Sequence, residues 1–372
     1  MYIMESAPGP KTIINGQEVD YFCGCSYYSL HGHPELIRTA QEAVARYGIG
    51  SATSRSGYGN NPVLLRVEEL ASTFFGSEAS LYFVSGYLGN SILLQGLKEL
   101  YDIIFVDQES HYSVRDGILM ADKPFVLFLH LDPQNLEEKL KEKLKPGQRP
   151  LVICDGVFPV SGEISPLPDY LEVLRNYENS FLCVDDAHAI GVLGEQGRGT
   201  FEYFGIKEEK AYFSGTLSKA IGGHGGIIPG RKDFIEKLKS NSNIPYASSA
   251  TPTGAAAATA RALEMFLEHP EMREKLRENV NYAREKLRNL GFEVAQSPVP
   301  IICLFSKEIN LEQLQLYLWS KKIAVLYVPG GSYSSVPETG ALRIAIFSDH
   351  TREQIDRLVD EINLFIGHRE AK

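Results

Sequence analysis

Short, continuous apolar runs alternate with amphipathic helical patterns from Pro34 to about Ala250. Continuous apolar runs are typical of strands that are covered on both faces of a sheet. Strands with one solvent-exposed face instead alternate apolar and polar residues. Among the helical patterns, Pro62–Phe75 has proline in its first turn and Gly76 just past its end. We therefore predict an α/β fold with a mostly parallel sheet and helices on both faces. The predicted strands are Ser80–Val84, Ile103–Val106, Phe125–Leu129, Leu151–Cys154, Phe181–Val184, Ala211–Ser214 and Gly226–Ile228.

The pattern of apolar and polar residues changes after Thr251, where two long helical stretches come before the next strands. This arrangement predicts a smaller α/β domain that a helix joins to the first. We expect an N-terminal segment of residues 1–33, a large domain of residues 34–252 and a small domain of residues 253–372. The elements predicted for the small domain are helices Thr253–Leu267, Glu271–Leu290 and Leu311–Lys321, strands Glu293–Ala295, Ile301–Phe305, Ile323–Val328 and Ala341–Ile346, and a final helix from Thr351.

The composition and charge of the chain argue against several classes of protein. The 372 residues are 44% hydrophobic and carry a formal net charge of −10, which argues against nucleic acid as a partner. No apolar run approaches the ~20 residues of a membrane span, and residues 1–11 show no secretory signal. Five cysteines are an odd number, and three lie in apolar runs, so we expect buried free thiols and a cytoplasmic protein. Cys23 and Cys25 lack a second pair, so no zinc site is expected.

A lysine follows one predicted strand in the segment from Phe213 to Gly226, Phe-Ser-Gly-Thr-Leu-Ser-Lys-Ala-Ile-Gly-Gly-His-Gly-Gly. Lys219 has small hydroxyl residues before it, among them Thr216 and Ser218, and glycines after it. A lysine that forms a Schiff base needs close packing, a lowered pKa and hydroxyls for a phosphate. A surface lysine before a glycine-rich turn is the alternative interpretation.

Acidic residues and a histidine end another strand, in Val-Asp-Asp-Ala-His-Ala-Ile-Gly from Val184 to Gly191. A carboxylate at this place can pair with a protonated pyridine nitrogen, and His188 can lie on the same side. The alternative is a metal-binding Asp/His pair, but the other histidines show no matching spacing. In an open α/β sheet, ligands bind outside the carboxyl ends of strands, where both segments lie.

A third segment, Val-Ser-Gly-Tyr-Leu-Gly-Asn from Val84 to Asn90, passes from a strand into a helix. Free backbone N–H groups and the dipole at a helix N-terminus form an anion site. Such junctions are common, and this one matters because the lysine segment also predicts a phosphate.

Together these segments resemble fold-type I enzymes that use pyridoxal 5′-phosphate (PLP), and more narrowly the α-oxoamine synthases. The resemblance runs from about Gly48 to Ile362, and the Asp-Asp-Ala-His and Gly-Glu-Gln-Gly-Arg-Gly stretches carry most of its specificity. It implies a large domain with a seven-stranded sheet, and a homodimer with a shared active site. It also implies a reaction in which an amino acid condenses with an acyl-CoA to give an amino ketone. Further matching stretches are Gly50–Arg55, Ser110–His111, Asp155–Phe158, Gly191–Gly199 and Leu342–Ile344.

The resemblance also implies roles for individual residues. Lys219 would carry the cofactor as a Schiff base and later move the proton of the amino acid. Asp185 would pair with the pyridine nitrogen, His188 would contact the ring oxygen, and His111 would stack on the ring. The other implied cofactor-binding residues are Ser85, Gly86, Tyr87, Asp155, Thr216 and Ser218, with Ser248, Ser249 and Thr251 reaching the phosphate from the neighbouring subunit. The implied substrate-binding residues are Arg343, which would hold the amino-acid carboxylate, and Arg55.

Departures from the family pattern fall on the substrate side. The family's Asn-x-Tyr-Leu-Gly is Cys-Ser-Tyr-Tyr-Ser at Cys25–Ser29, and Leu65 or a neighbour stands where histidine is common. The loop from Arg55 to Tyr58 is about two residues shorter, and a usual Glu-Gly-Val-Phe-Ser is Asp-Gly-Val-Phe-Pro at Asp155–Pro159. The cofactor is therefore better specified than the substrates. A PLP aminotransferase or amino-acid lyase is the alternative enzyme class, and a non-catalytic protein on this fold is the third hypothesis.

Overall fold

The computed structural model describes residues 1–331 and 336–370. The chain forms two compact units, one of residues 34–158 and 164–268 and the other of residues 1–33, 159–163 and 269–372. The strands are β1 Lys11–Ile14, β2 Gln17–Tyr21, β3 Ala79–Phe83, β4 Ile103–Asp107, β5 Phe125–Phe128, β6 Pro150–Asp155, β7 Phe181–Asp185, β8 Ala211–Thr216, β9 Gly226–Gly230, β10 Ile301–Leu304, β11 Ile323–Ala324, β12 Leu326–Val328 and β13 Ala341–Ala345. The helices are α1 Pro34–Tyr47, α2 Pro62–Phe75, α3 Gly89–Gly96, α4 Tyr112–Ala121, α5 Pro133–Lys143, α6 Leu167–Leu174, α7 Thr200–Phe204, α8 Lys232–Asn241, α9 Asn243–Ala247, α10 Thr253–Glu268, α11 Glu271–Asn289, α12 Leu311–Ser320 and α13 Arg352–Glu370.

A seven-stranded sheet forms the centre of the first unit, in the order β3-β9-β8-β7-β6-β4-β5. Strand β9 is antiparallel to both of its neighbours, and the other pairings are parallel. The predicted mostly parallel sheet is therefore confirmed, and each of the seven strands predicted for the large domain has ends within two residues of an observed strand.

Both faces of this sheet are covered by helices, which explains the continuous apolar runs of its strands. On one face, Leu93 of α3 and Ile118 of α4 pack with alternate residues of β4 and β6. On the other face, Leu136 of α5 and Leu171 of α6 pack with the remaining residues of the same strands. Successive side chains of a strand point to opposite faces of the sheet. A strand that helices cover on both faces therefore has apolar side chains at successive positions.

Helix α10, expected to open the small domain, belongs to the unit that contains the large sheet. It packs against α1 and α2, and Gly254 in its first turn lies against Val44 and Ala40 of α1. The boundary thus falls after Glu268 and not after residue 252, because the alanine-rich face of α10 is buried inside the first unit.

The second unit combines the N-terminal segment with the C-terminal part of the chain. Strands β1 and β2 form a hairpin that pairs in parallel with β11, and β10, β13 and β12 form an antiparallel sheet. The predicted strand Ile323–Val328 is divided between these two sheets. The predicted strand Glu293–Ala295 is wrong: these residues are irregular, and the carbonyl of Ala295 accepts a hydrogen bond from the Arg284 guanidinium.

Within residues 1–331 and 336–370, no helix is both long enough and apolar enough to cross a membrane. All five cysteines are free, and Cys154, Cys183 and Cys303 are buried in strands, as expected from their apolar runs.

Candidate active site

The carboxyl ends of four neighbouring strands bring the predicted functional segments together. Strands β4, β6, β7 and β8 are parallel neighbours, so their C-terminal residues lie along one edge of the sheet. Asp155 at the end of β6 is paired in register with Asp185 at the end of β7, and Asp185 with Ser214 of β8. This is the edge at which open α/β sheets bind ligands.

A cavity of about 230 Å³ lies at this edge, within the first unit. It contains an amine, carboxylates, imidazoles, hydroxyls and the backbone of a turn, contributed by five separate segments. All predicted cofactor-binding residues except those assigned to a neighbouring subunit line it. The lining residues are Ser85, Gly86, Tyr87, His111, Ser113, Asp155, Asp185, Ala187, His188, Thr216, Ser218 and Lys219.

Lys219 follows β8 and enters the cavity through a turn that folds back on itself. The N–H of Gly223 donates to the carbonyl of Leu217, and the N–H of Gly222 donates to that of Lys219. The Lys219 Nζ lies 2.8 Å from the Nε2 of His188. The three-residue spacing of Asp185 and His188 thus places the histidine beside the lysine. Its predicted contact with a cofactor oxygen stays a prediction.

The carboxylate of Asp185 is held by three donors. Its Oδ2 accepts from the side-chain N–H of Asn90 at 2.6 Å and from the hydroxyl of Ser113 at 3.1 Å. Its Oδ1 accepts from the backbone N–H of Ala187 at 3.1 Å. Ser214 donates in turn to the Asn90 Oδ1. The sequence analysis did not identify Asn90 and Ser113 as functional residues, although Asn90 ends the segment Val84–Asn90 and Ser113 lies two residues after His111.

His111 caps the N-terminus of α4, and its backbone N–H donates to the Asp155 Oδ2 at 2.8 Å. Burial lowers the pKa of His111 below its usual value, so the neutral imidazole is favoured. Burial and the nearby Asp185 raise the pKa of Asp155 well above its usual range. The ring of Tyr87 meets that of His111 edge-on, with centroids 6.0 Å apart.

A turn at the N-terminus of α3 forms the part of the cavity suited to an anion. Ser85 caps the 3-10 turn Gly86–Leu88, which continues directly into α3. A Cβ on Gly86 would lie 2.6 Å from the Cβ of Thr216, so only glycine lets the two segments approach so closely. The Thr216 hydroxyl is 2.6 Å from that of Ser218. Helix N-terminal N–H groups and clustered hydroxyls are the donors that a phosphate prefers.

The lining residues fit PLP in their chemistry. The cavity combines a lysine amine, a buried carboxylate fixed by hydrogen bonds and the anion-binding turn. These are the groups that would hold the aldehyde carbon, the pyridine nitrogen and the phosphate of that cofactor.

Arg55, Ser249 and Thr251 do not line this cavity. They border a separate one of about 160 Å³ in the same unit, where Ser54 and Ser249 form an isolated bridge. The Arg55 guanidinium pairs with both carboxylate oxygens of Glu68, at 2.7 and 3.0 Å, and donates to the carbonyl of Tyr82. In the fold of a single chain, Arg55 is therefore engaged in a structural ion pair.

Arg343 lies on β13 in the second unit and is buried. Its Nε donates to the carbonyl of Pro159 at 2.8 Å, and its two terminal nitrogens lie 3.4 Å from the carbonyl of Gly24 and 3.8 Å from the Cys25 Sγ. The cysteine that replaces the asparagine of the family pattern is thus a direct neighbour of the arginine predicted to bind a carboxylate.

Asp186, the second aspartate of the motif, has a structural contact. Its carboxylate accepts from the backbone N–H and the hydroxyl of Thr200 at 2.8 and 2.7 Å. A Cβ on Gly199, where φ is 104°, would lie 2.1 Å from the Asp186 Oδ2. Gly199, at the end of the glycine-rich run, therefore lets the backbone approach this buried carboxylate closely.

Comparison with known proteins agrees with this geometry. Residues 24–362 match the model of the aminotransferase class I and II family. The chain is 34% identical over 361 residues to 8-amino-7-oxononanoate synthase of Alkaliphilus metalliredigens, covering 96% of this chain and 90% of the relative. It is 33% identical over 365 residues to 8-amino-7-oxononanoate synthase 1 of Bacillus subtilis, covering 96% and 91%.

Solved structures show the same fold. Serine palmitoyltransferase of S. paucimobilis superposes with a TM-score of 0.91 at 23% identity, covering 100% of this chain and 94% of that one. The 8-amino-7-oxononanoate synthase of Francisella tularensis gives a TM-score of 0.78 at 24% identity, covering 95% and 99%. The chain therefore belongs to the aminotransferase class I and II family and, within it, to the PLP-dependent α-oxoamine synthases.

Proposed function

We propose that this protein condenses an amino acid with an acyl-CoA thioester, releasing CoA and forming an amino ketone. The observation that carries the proposal is one cavity in which Lys219 lies 2.8 Å from His188 and shares the space with Asp185. Relatives named 8-amino-7-oxononanoate synthase match 96% of the chain, which supports the same reaction type.

The cofactor would be held covalently by Lys219, with Asp185 at its pyridine nitrogen and the turn at Gly86 and Thr216 at its phosphate. When bound, PLP supplies an electron-withdrawing ring that stabilises negative charge on the α-carbon of an amino acid. A carboxylate beside the ring nitrogen favours the protonated ring by opposing charge.

The residues of the chain handle the proton. The Nζ of Lys219 is a flexible amine on a four-carbon stem, suited to taking the α-proton and returning it. His188 at 2.8 Å orients that amine and can share its proton, because the two nitrogens are within hydrogen-bond distance. Burial lowers the pKa of His111 and so favours its neutral form, which would present an uncharged flat face to the cofactor ring.

The names of the relatives suggest the substrates to test first. In 8-amino-7-oxononanoate, the amine-bearing carbon and its methyl group correspond to alanine that has lost its carboxylate as CO2. The ketone carbon and the chain up to the acid correspond to a seven-carbon dicarboxylic acyl group. We propose alanine and such an acyl-CoA as the first pair, with CoA and CO2 as the other products.

Arg343 is proposed to hold the amino-acid carboxylate. A guanidinium has five N–H donors, and its planar fork suits a carboxylate. The contacts with Pro159, Gly24 and Cys25 hold the side chain in place. Cys25, which stands where the family pattern has asparagine, contacts this arginine. The proposed carboxylate site therefore includes a position at which this chain differs from the family pattern.

We also propose a homodimer with shared active sites. Ser249 and Thr251 lie away from the Lys219 cavity of their own chain, as expected of residues that complete the site of a neighbour. Five free thiols support a reducing compartment such as the cytoplasm.

Lys219→Ala tests the cofactor assignment. The purified wild-type protein, supplied with PLP, should show the visible absorbance of the lysine-bound cofactor, and the variant should lack it because the bond-forming amine is gone. Lys237→Ala, a lysine of α8 outside the Lys219 cavity, is the matched control and should absorb like the wild type. A wild-type protein without this absorbance would refute the proposal.

A thiol-release assay tests the reaction class. We expect free CoA only when an amino acid and an acyl-CoA are supplied together, and none with Lys219→Ala. Consumption of amino acid in the absence of acyl-CoA would instead identify an aminotransferase or a lyase.

A further inference from the structure

Two buried polar side chains, Asn90 and Ser113, connect Asp185 to His111. Asn90, Ser113 and Asp185 are almost completely buried, with 0%, 1% and 6% of their surfaces exposed. The amide nitrogen of Asn90 lies 2.6 Å from the Asp185 Oδ2 and 3.1 Å from the Ser113 Oγ. The Ser113 Oγ lies 3.1 Å from the Asp185 Oδ2 and 2.8 Å from the His111 Nδ1.

The orientation of the Asn90 amide follows from its neighbours. An ionised carboxylate only accepts hydrogen bonds, so the atom 2.6 Å from the Asp185 Oδ2 is the NH2 group. Its two hydrogens then reach the Asp185 Oδ2 and the Ser113 Oγ. The Asn90 Oδ1 accepts from the Ser214 hydroxyl at 3.1 Å, so all three contacts agree with one orientation.

Ser113 contacts the His111 ring through two of its atoms. Its hydroxyl oxygen lies 2.8 Å from Nδ1, and its backbone N–H donates to the same nitrogen at 3.2 Å. The hydroxyl also donates to the Asp185 Oδ2 at 3.1 Å. One side chain therefore connects the ring to the carboxylate.

We propose that Ser113 and Asn90 are positioning residues that fix two groups at once, the carboxylate of Asp185 and the ring of His111. The proposal deepens the proposed function and rests on it, because both groups are assigned there to the cofactor. The Ser113 hydroxyl donates to Asp185, accepts from Asn90 and lies within hydrogen-bond distance of the His111 Nδ1. Removing it takes one donor from Asp185 and the 2.8 Å contact from His111.

The test compares Ser113→Ala with Ser110→Ala in holoenzyme. Ser110 lies just before α4, three residues from Ser113, and is fully buried; its hydroxyl has no hydrogen-bond partner within residues 1–331 and 336–370. Three quantities are measured for each variant: the rate of PLP loss on dilution, the absorbance maximum of the bound cofactor, and kcat and KM for the acyl-CoA.

We expect Ser113→Ala to lose PLP about tenfold to a hundredfold faster, the range for one hydrogen bond to a charged group. Its absorbance maximum should shift and its kcat should fall, with KM for the acyl-CoA unchanged, because Asp185 and His111 are assigned to the cofactor and not to the acyl group. Ser110→Ala should match the wild type. Ser113→Thr, which keeps the hydroxyl, should restore PLP retention and the absorbance maximum.

Equal behaviour of Ser113→Ala and Ser110→Ala would overturn the proposal, and so would a Ser113→Thr variant as defective as Ser113→Ala. Asn90→Leu keeps the volume, removes both donors and should also lose PLP faster than the wild type. Should Ser113→Ala fail to fold, Ser113→Cys, which has only a weak donor, replaces it with the same expected order. A wild-type protein that never binds PLP would instead refute the proposed function.

Discussion

At the scale of single residues, two adjacent aspartates have different environments because successive side chains at the end of β7 face opposite ways. Asp185 faces the cavity and is held by Asn90, Ser113 and a backbone N–H. Asp186 is fully buried and is bonded to Thr200. The first is available to a ligand, and the second connects the strand to α7.

Asp186→Asn should change how stability depends on pH. Burial raises the pKa of Asp186 to about 7, against ~3.9 in an unfolded chain, so the folded protein holds this proton longer. The free energy of unfolding of the wild type should therefore fall as pH rises from about 4 to 7, and level off above that. The variant lacks this titration, so its stability relative to the wild type should grow across that window, by up to about 4 kcal/mol.

Urea unfolding at a series of pH values measures this difference. Glu178→Gln, at an exposed position, is the control and should give a curve parallel to that of the wild type. A parallel curve for Asp186→Asn as well would contradict the prediction.

Lys219 and Asp185 could be predicted from the sequence because few environments need a lysine between hydroxyls and glycines, or two aspartates at a strand end. Asn90 and Ser113 could not be predicted. Asparagine and serine are found at many helix starts, and their role here depends on which side chains the fold places within 3.1 Å of them.

At the scale of elements, helix packing determines where the first unit ends. Helix α10 packs against α1 and α2, and Gly254 allows its first turn to approach α1 closely. The hydrophobic pattern does change after Thr251, but this change does not mark the end of the first unit, because α10 still belongs to it. Small residues on one face of a helix indicate that another element packs closely against it, but they do not indicate which element.

Gly254→Val should lower the free energy of unfolding by about 1 to 3 kcal/mol, the usual cost of overpacking. A Cβ at this position would lie 2.8 Å from a methyl carbon of Val44 and 3.3 Å from the carbonyl oxygen of Ala40, which cannot move without α1. Gly367→Ala in α13 is the control, since nothing lies within 4 Å of its added Cβ. The control should be neutral or stabilising by roughly 0.5 to 1 kcal/mol. Thermal or denaturant unfolding that ranks the two variants equally would contradict this prediction.

At the scale of the whole molecule, the residues assigned to cofactor binding divide into two sets. Those of the Lys219 cavity come from one unit of one chain, whereas Ser249 and Thr251 line a separate cavity. The proposed dimer accounts for this separation, because each chain would supply these residues to its neighbour.

Mixed dimers test this arrangement. Lys219→Ala and the double variant Ser249→Ala/Thr251→Ala should each have little activity alone. In hybrids of the two, one site combines an intact Lys219 with intact Ser249 and Thr251, so random mixing should restore roughly a quarter of wild-type activity in a shared-site dimer. The assay is CoA release after co-expression. No recovery, or a double variant that is fully active by itself, would contradict shared sites.

The sequence by itself was enough to predict the mostly parallel sheet, the place of Lys219 and Asp185 in the candidate site, and the family. Each of these depends on local patterns: apolar runs for buried strands, glycines and hydroxyls around Lys219, and the aspartate pair at the end of β7. Only the tertiary structure decided the partners of Asp185, the engagement of Arg55 with Glu68 and the unit to which α10 belongs. The physical reason is that hydrogen bonds, ion pairs and helix contacts join residues far apart in the chain, and no local pattern records which of them will meet.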